Sequence, residues 1–140
     1  MIRKGRFAIW NGKEYALVSY QRQYYLQTED VSEERNGFER MSGKEHVLLR
    51  PISVKELQDA YEIIPYTMIK GYRFAVEGVN QANGKVALVT NNPFVKGKVD
   101  VRPYGKYEYI IELPEDQVDF LEDRLPILGF DNQTTYKRST

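Results

Sequence analysis

Hydrophobic and polar positions in this chain alternate in short extended runs, and long helical stripes are missing. Residues 6–10 and 13–20 are apolar-rich and flank Asn11-Gly12. That dipeptide between two extended runs predicts a hairpin, because both residues accept the positive φ of a type I′ turn. Along the second run Tyr15, Leu17 and Ser19 share one face, while Glu14, Ala16 and Val18 share the other. Gln21-Arg22-Gln23 reads as a connection and residues 24–28 as a third strand. The charged residues 29–36 predict a short helical turn closed by Gly37, with Phe38 and Met41 anchoring the excursion to the core. A fourth strand over 44–50 ends at Pro51. Ser53 and Glu56 then form a capping box, and Val54, Leu57 and Tyr61 lay an apolar stripe along a helix reaching residue 61 or 62. Residues 63–69 are too hydrophobic for a flexible linker and predict a strand crossing to the rest of the chain.

The remainder follows the same script. Gly5-Arg6-Phe7-Ala8 returns as Tyr72-Arg73-Phe74-Ala75, each after a lysine-glycine pair, and Gly12-Lys13 with Ala16-Leu17-Val18 returns as Gly84-Lys85 with Ala87-Leu88-Val89. Val47-Leu48 leading to Pro51 returns as Ile110-Ile111 leading to Pro114, and each proline precedes a helical spacing, the second being Val118, Leu121 and Leu125. Recurring landmarks in one order fix an architecture before any other feature does. The expected fold class is α+β and strand-dominated. It is an internal duplication of two β-rich units, about four strands plus one C-terminal helix each, fused into one body. The units are expected over 1–64 and 65–130, packed as a single compact domain, followed by a polar, disordered tail at 131–140.

Bulk properties narrow the function classes. A chain of 140 residues buries about two-thirds of its unfolded surface, whereas half that length would be marginal alone. Formal net charge is zero, and residues 1–66 and 67–140 each carry ten basic and ten acidic side chains, so no general attraction to nucleic acid or anionic membrane is supplied. The absence of cysteine removes disulfide scaffolds, thiolate metal sites and cysteine nucleophiles together. No apolar leader or membrane-length run is present, and a cytoplasmic protein is expected. Eleven tyrosines stand against six phenylalanines and one tryptophan, which suits half-buried sheet faces and recognition surfaces alike.

Candidate chemistry is sparse. His46, the only histidine, lies on a predicted strand with its neighbour Glu45 on the opposite face, so it reads as structural. The acidic run Glu29-Asp30-Val31-Ser32-Glu33-Glu34 lacks the calcium-loop spacing and reads as a solvated face. Gly84-Lys85 and Gly97-Lys98 lack the glycine spacing of a phosphate loop. No catalytic residue, cofactor or metal is assigned. A carboxylate hydrolase is the third reading, with Glu14, Glu77, Glu108 and Glu112 as its candidates. The second reading is single-stranded nucleic-acid binding, because Arg22, Tyr24 and Tyr25, then Arg102, Tyr104, Lys106, Tyr107 and Tyr109, interleave cations with rings. The leading reading takes the first seven of these as partner-binding residues of a non-catalytic protein that recognises another protein. Immunity-type inhibition of a toxin, as in small bacterial immunity proteins, is one form of it. An internal duplication already mimics a dimer, so a monomer is expected.

Overall fold

A computed structural model describes residues 2–130, and the tail expected at 131–140 lies outside the described residues. The first hairpin forms where its turn residues place it. β1 (Gly5–Trp10) and β2 (Lys13–Tyr20) are joined by Asn11 and Gly12 at φ +53° and +79°, with Trp10 opposite Lys13. β3 (Gln23–Thr28) follows a second tight turn, in which Gln21 and Arg22 take φ +50° and +66°. Neither residue is glycine or asparagine, so the left-handed backbone costs roughly 1 kcal/mol at each.

The chain then leaves the sheet in a 3-10 segment, Val31–Asn36, capped by the Asp30 carboxylate on the Ser32 N–H and closed by Gly37 at φ +90°. The solvated reading of this acidic run fails at Glu33, which is 2% exposed. Its carboxylate accepts from the Tyr15 hydroxyl at 2.6 Å, the Lys13 ammonium at 2.8 Å and the Asn36 side-chain amide at 2.6 Å. The Lys13 hydrogen bond, then that from Tyr15, holds the carboxyl down to about 2 although burial works against it. Burial, then the bond to Glu33, pushes the Tyr15 hydroxyl up to about 12, so it stays a donor. With the segment pinned, Phe38 stacks on Tyr15 at 5.2 Å between centroids and meets the edge of Trp10 at 6.2 Å.

β4 (Glu39–Met41) and β5 (Lys44–Ile52) follow. Pro51 lies inside β5 opposite Tyr25 rather than ending it. β4 pairs with β5 only as far as Leu49, and beyond that open flank a residue without an N–H is tolerated. The capping box at Ser53 and Glu56 is present, with Glu56 accepting from the Ser53 N–H at 2.9 Å. It caps only the 3-10 turn Val54–Glu56, and the chain enters β6 (Asp59–Ile69). The second expected helix is likewise a 3-10 turn, Glu115–Gln117, leading to β11 (Leu121–Pro126). Both helix expectations are therefore corrected. A stripe of three apolar residues cannot hold a short helix in isolation. The β-branched and aromatic residues of 59–69 favour a strand, and there Tyr61, Ile63, Pro65 and Thr67 are buried in alternation. In the second case Leu121 and Leu125 are exposed, so the stripe does not face a core.

Between these lie β7 (Tyr72–Val79), β8 (Lys85–Thr90), the 3-10 turn Pro93–Val95, β9 (Arg102–Pro103) and β10 (Tyr109–Pro114). The fold is strand-dominated, with no α-helix among the described residues. Among the described residues no helix is long and apolar enough to cross a membrane. Two compact units are formed. One comprises Gly5–Ile63 with the described residues from Arg124 onward, in the antiparallel order β4-β5-β3-β2-β1-β6. The other comprises Ile64–Asp123 with residues 2–4, in the order β6-β7-β8-β10-β9. β6 serves both ladders, residues 59–63 pairing with β1 and 66–69 with β7, and β11 also pairs with it.

Each unit buries one sheet face under its own connections. In the 5–63 unit Ala8, Leu17, Leu26 and Leu48 are covered by Phe38, Leu57 and the returning Ile127, Leu128 and Phe130. In the 64–123 unit Phe74, Val76, Val86 and Leu88 are covered by Val95, Val99, Val118 and Phe120. The matched Phe-Ala motifs present opposite members inward: Ala8 is buried in β1, whereas Phe74 is buried and Ala75 exposed in β7. Edge strands are short, β4 carrying Glu39 and Arg40 and β9 ending in Pro103, which discourages edge pairing.

Two outcomes follow from these local features. Glu33 has a folded pKa of about 2 against its ordinary 4.5, so its stabilisation is complete above 4.5 and fades as pH falls toward 2. Glu33→Gln should lower the unfolding free energy by about 2 kcal/mol at neutral pH and flatten the acid limb of a denaturation series. Replacing Gln21-Arg22 by Asn-Gly should raise stability by about 1 kcal/mol, read as a higher midpoint in urea.

Candidate functional site

β7 is interrupted by a bulge: Val76 faces Leu88 and Gly78 faces Ala87, leaving Glu77 as the extra residue. A bulge takes backbone groups out of the ladder and bends its strand. Here the Lys4 ammonium donates to the Val76 and Glu77 carbonyl oxygens, each at 3.1 Å. Beside the bulge a cleft of about 540 Å³ opens within the 64–123 unit, in the size range of ligand pockets. Ile64, Ala75 and Val89 contribute apolar lining, beside the buried residues Pro65, Val76 and Thr90. Lys4, Arg73, Glu77, Asn91, Asn92 and Glu108 supply the polar walls.

Strand register explains why these residues meet. Thr90 ends β8 opposite Tyr109 at the start of β10, so residues 91–95 and 104–108 emerge at one end of the ladder. The first loop is built on local caps. The Thr90 hydroxyl accepts from the Asn92 N–H at 3.2 Å, and the Asn92 side chain accepts from the Phe94 N–H at 2.9 Å. Val95 is buried as an anchor, which leaves Phe94 71% exposed. In the second loop the Tyr104 N–H donates to the Glu108 carbonyl at 2.9 Å, and Tyr107 holds φ +64° with 77% of its surface exposed. Gly105 has φ +43°, and a Cβ there would stand 2.9 Å from Glu108 Oε1, so the carboxylate lies against the glycine.

The cleft's charges divide into engaged cations and unengaged anions. Arg73 bonds Asp123 at 2.7 Å and stacks 3.6 Å from the Tyr66 ring centroid. Lys4 is committed to the bulge carbonyls. Glu77 and Glu108 make no side-chain hydrogen bond or ion pair with any described residue. Two carboxylates can serve proton transfer or charge complementarity. No group of three or more histidine, aspartate or glutamate side chains is placed to hold a metal ion among the described residues.

The sequence-derived candidates fall in separate units. Arg22, Tyr24 and Tyr25 lie at the β2–β3 turn of the 5–63 unit. Tyr24 packs against the core, and Tyr25, its neighbour on β3, faces the other way opposite Pro51. Arg22 borders a shallow recess of about 420 Å³ with Ser53 and Glu56. Arg102, Tyr104, Lys106 and Tyr107 lie on β9 and the 104–108 loop of the 64–123 unit. Arg102 pairs with Glu112 at 3.5 Å, and the Lys106 ammonium lies 5.4 Å from the Tyr107 ring centroid. Of the four candidate carboxylates, Glu77 and Glu108 reach one cleft, while Glu14 accepts from the Tyr61 hydroxyl and Glu112 from Asn80. His46 is exposed on β5. Sequence reading missed Lys4, Arg73, Asn91, Asn92 and Phe94. The Asn92-Pro93 turn signal was present, and it is what lifts Phe94 off the sheet.

The model of one family, described as Uncharacterised conserved protein UCP033725, matches residues 2–129, and the chain belongs to that family. No curated protein and no solved structure matches the chain.

Lys4→Met should loosen the bulge without touching either core. The expected loss is about 1 kcal/mol, accompanied by faster amide exchange at residues 76–78 and unchanged exchange in β2 and β3.

Proposed function

We propose that this family member is a non-catalytic cytoplasmic protein that recognises another protein, in the manner of an immunity-type inhibitor. Its binding surface is the pair of loops at the end of the β8–β10–β9 ladder. The observation that carries the reading is the exposure of Phe94, Tyr104 and Tyr107 at 71%, 42% and 77% on loops held by caps and backbone bonds. Large aromatic side chains standing in water on ordered backbone lose little entropy when a partner covers them, and such anchors dominate protein interfaces. Nucleic-acid stacking has less support, because net charge is zero, Tyr24 packs on the core and Arg102 is paired with Glu112.

A common ancestry for the two units goes with this proposal. A hairpin, a strand carrying a late proline, a 3-10 turn and a further strand recur in that order in both. The bulge in β7 shifts strand parity by one residue, which accommodates the reversed Phe-Ala faces. The blunted edges support action as a monomer.

Affinity capture from the host lysate after nuclease treatment tests the reading. Wild-type protein should retain one stoichiometric protein partner. Phe94→Ala and Tyr107→Ala should each weaken it about tenfold or more, with the melting temperature moved by no more than about 2 °C. Retention by both variants, or recovery of nucleic acid alone when nuclease is omitted, overturns the reading.

A further inference from the structure

We propose that the cleft beside the β7 bulge seats an arginine side chain of the protein partner, an assignment that rests on the protein-recognition reading above. Three observations converge on that chemistry. First, the cations on the cleft wall are already occupied: Arg73 by Asp123 and the Tyr66 ring, Lys4 by the carbonyls of Val76 and Glu77. Lys4 keeps its charge on those neutral carbonyls, but with Arg73 offset by Asp123 the two carboxylates Glu77 and Glu108, unengaged among the described residues, outnumber it, so the charge left to be complemented is negative.

Second, apolar residues, among them Ile64, Ala75 and Val89, line part of the cleft, and its volume of about 540 Å³ exceeds what a bare ammonium group would fill. A guanidinium on its three-carbon stem matches this combination. The stem packs on apolar walls, and the planar head offers five donors to carboxylate and amide oxygens. Asn91, whose side chain bonds to no described residue, adds an acceptor at the mouth. Third, the loops that supply Asn91, Asn92 and Glu108 to the cleft also carry Phe94 and Tyr107, so the exposed rings stand on the same two loops as part of its lining. Electrostatic complementarity at the cleft would set register, while the rings supply contact area. Gly105 belongs to the same device, since a side chain there would displace the Glu108 carboxylate.

The test uses the full chain labelled with nitrogen-15 and two probes at low ionic strength. One is acetyl-Gly-Arg-Gly-amide, and the other is the same peptide with citrulline, the neutral isostere, in place of arginine. The arginine peptide should produce saturable amide shifts at Glu77, Gly78, Thr90, Asn91 and Glu108, with the citrulline peptide at least about tenfold weaker. The double variant Glu77→Gln/Glu108→Gln should abolish that preference while melting as the wild type does, since neither carboxylate holds the fold together. Equal response to both peptides, shifts confined to other residues, or a preference unaffected by the double variant would overturn the assignment. Partner capture separates the two readings. Capture that survives the double variant but is lost in Tyr107→Ala removes the arginine seat and leaves protein recognition standing. A peptide preference with no protein captured removes the partner reading instead.

Discussion

A sheet with no helix laid across it must hide its apolar face beneath its own connections, and a connection stays down only if its polar backbone and charges are satisfied there. In the 5–63 unit that requirement is met by Glu33. Buried beneath the 3-10 segment, its carboxylate draws in Lys13 and Tyr15 from β2 and Asn36 from the segment itself. An isolated buried carboxylate would be strongly unfavourable, but one receiving three hydrogen bonds, one of them from a cation, becomes a fastener. The Phe38 ring on Tyr15, and through it the cover over Ala8, Leu17 and Leu26, depends on that fastening. The 64–123 unit covers its face more simply, dropping Val95 and Val99 from the β8–β9 connection onto Phe74 and Leu88.

Turn chemistry was legible in the sequence wherever a single dipeptide decides the backbone. Asn11-Gly12 specifies its turn unaided, and Asn92-Pro93 marks the end of β8. What lay beyond reading were features decided by long-range competition. Ser53 and Glu56 do make a capping box, yet the β-propensity of 59–69 and pairing with β1 and β7 claim the residues that follow. Gln21-Arg22 carries no positive-φ signal, and its turn is imposed by Tyr20 meeting Gln23. Glu33 looks like any residue of an acidic loop until Tyr15 lies beneath it. The site was partly visible, in that Glu77, Glu108 and Tyr107 stood out as strand-end acids and a ring beside cations. Their grouping depended on a bulge and a register that no local pattern encodes.

The loops at the end of the β8–β10–β9 ladder combine rigidity with exposure. Asn92 and Thr90 cap one loop from within, and a backbone bond between Tyr104 and Glu108 closes the other. The rings of Phe94 and Tyr107 are therefore displayed on ordered backbone at the end of the ladder where Glu108 lies. The pairing of Arg73 with Asp123 leaves Glu77 and Glu108 in excess over Lys4, so the cleft is not electrostatically blank.

The two units are interleaved along the chain. Ile2 packs with the core built from Phe74 and Leu88, and Ile127, Leu128 and Phe130 close the core built from Leu17 and Leu26. During synthesis the earliest residues thus wait for a partner that emerges much later, and the first β-rich segment stays uncapped until the chain has almost passed residue 130. Neither unit can be completed by translation of one contiguous stretch: the 64–123 unit needs residues 2–4, and the 5–63 unit needs residues from Arg124 onward. A cut between residues 63 and 64 would produce two incomplete fragments instead of two domains.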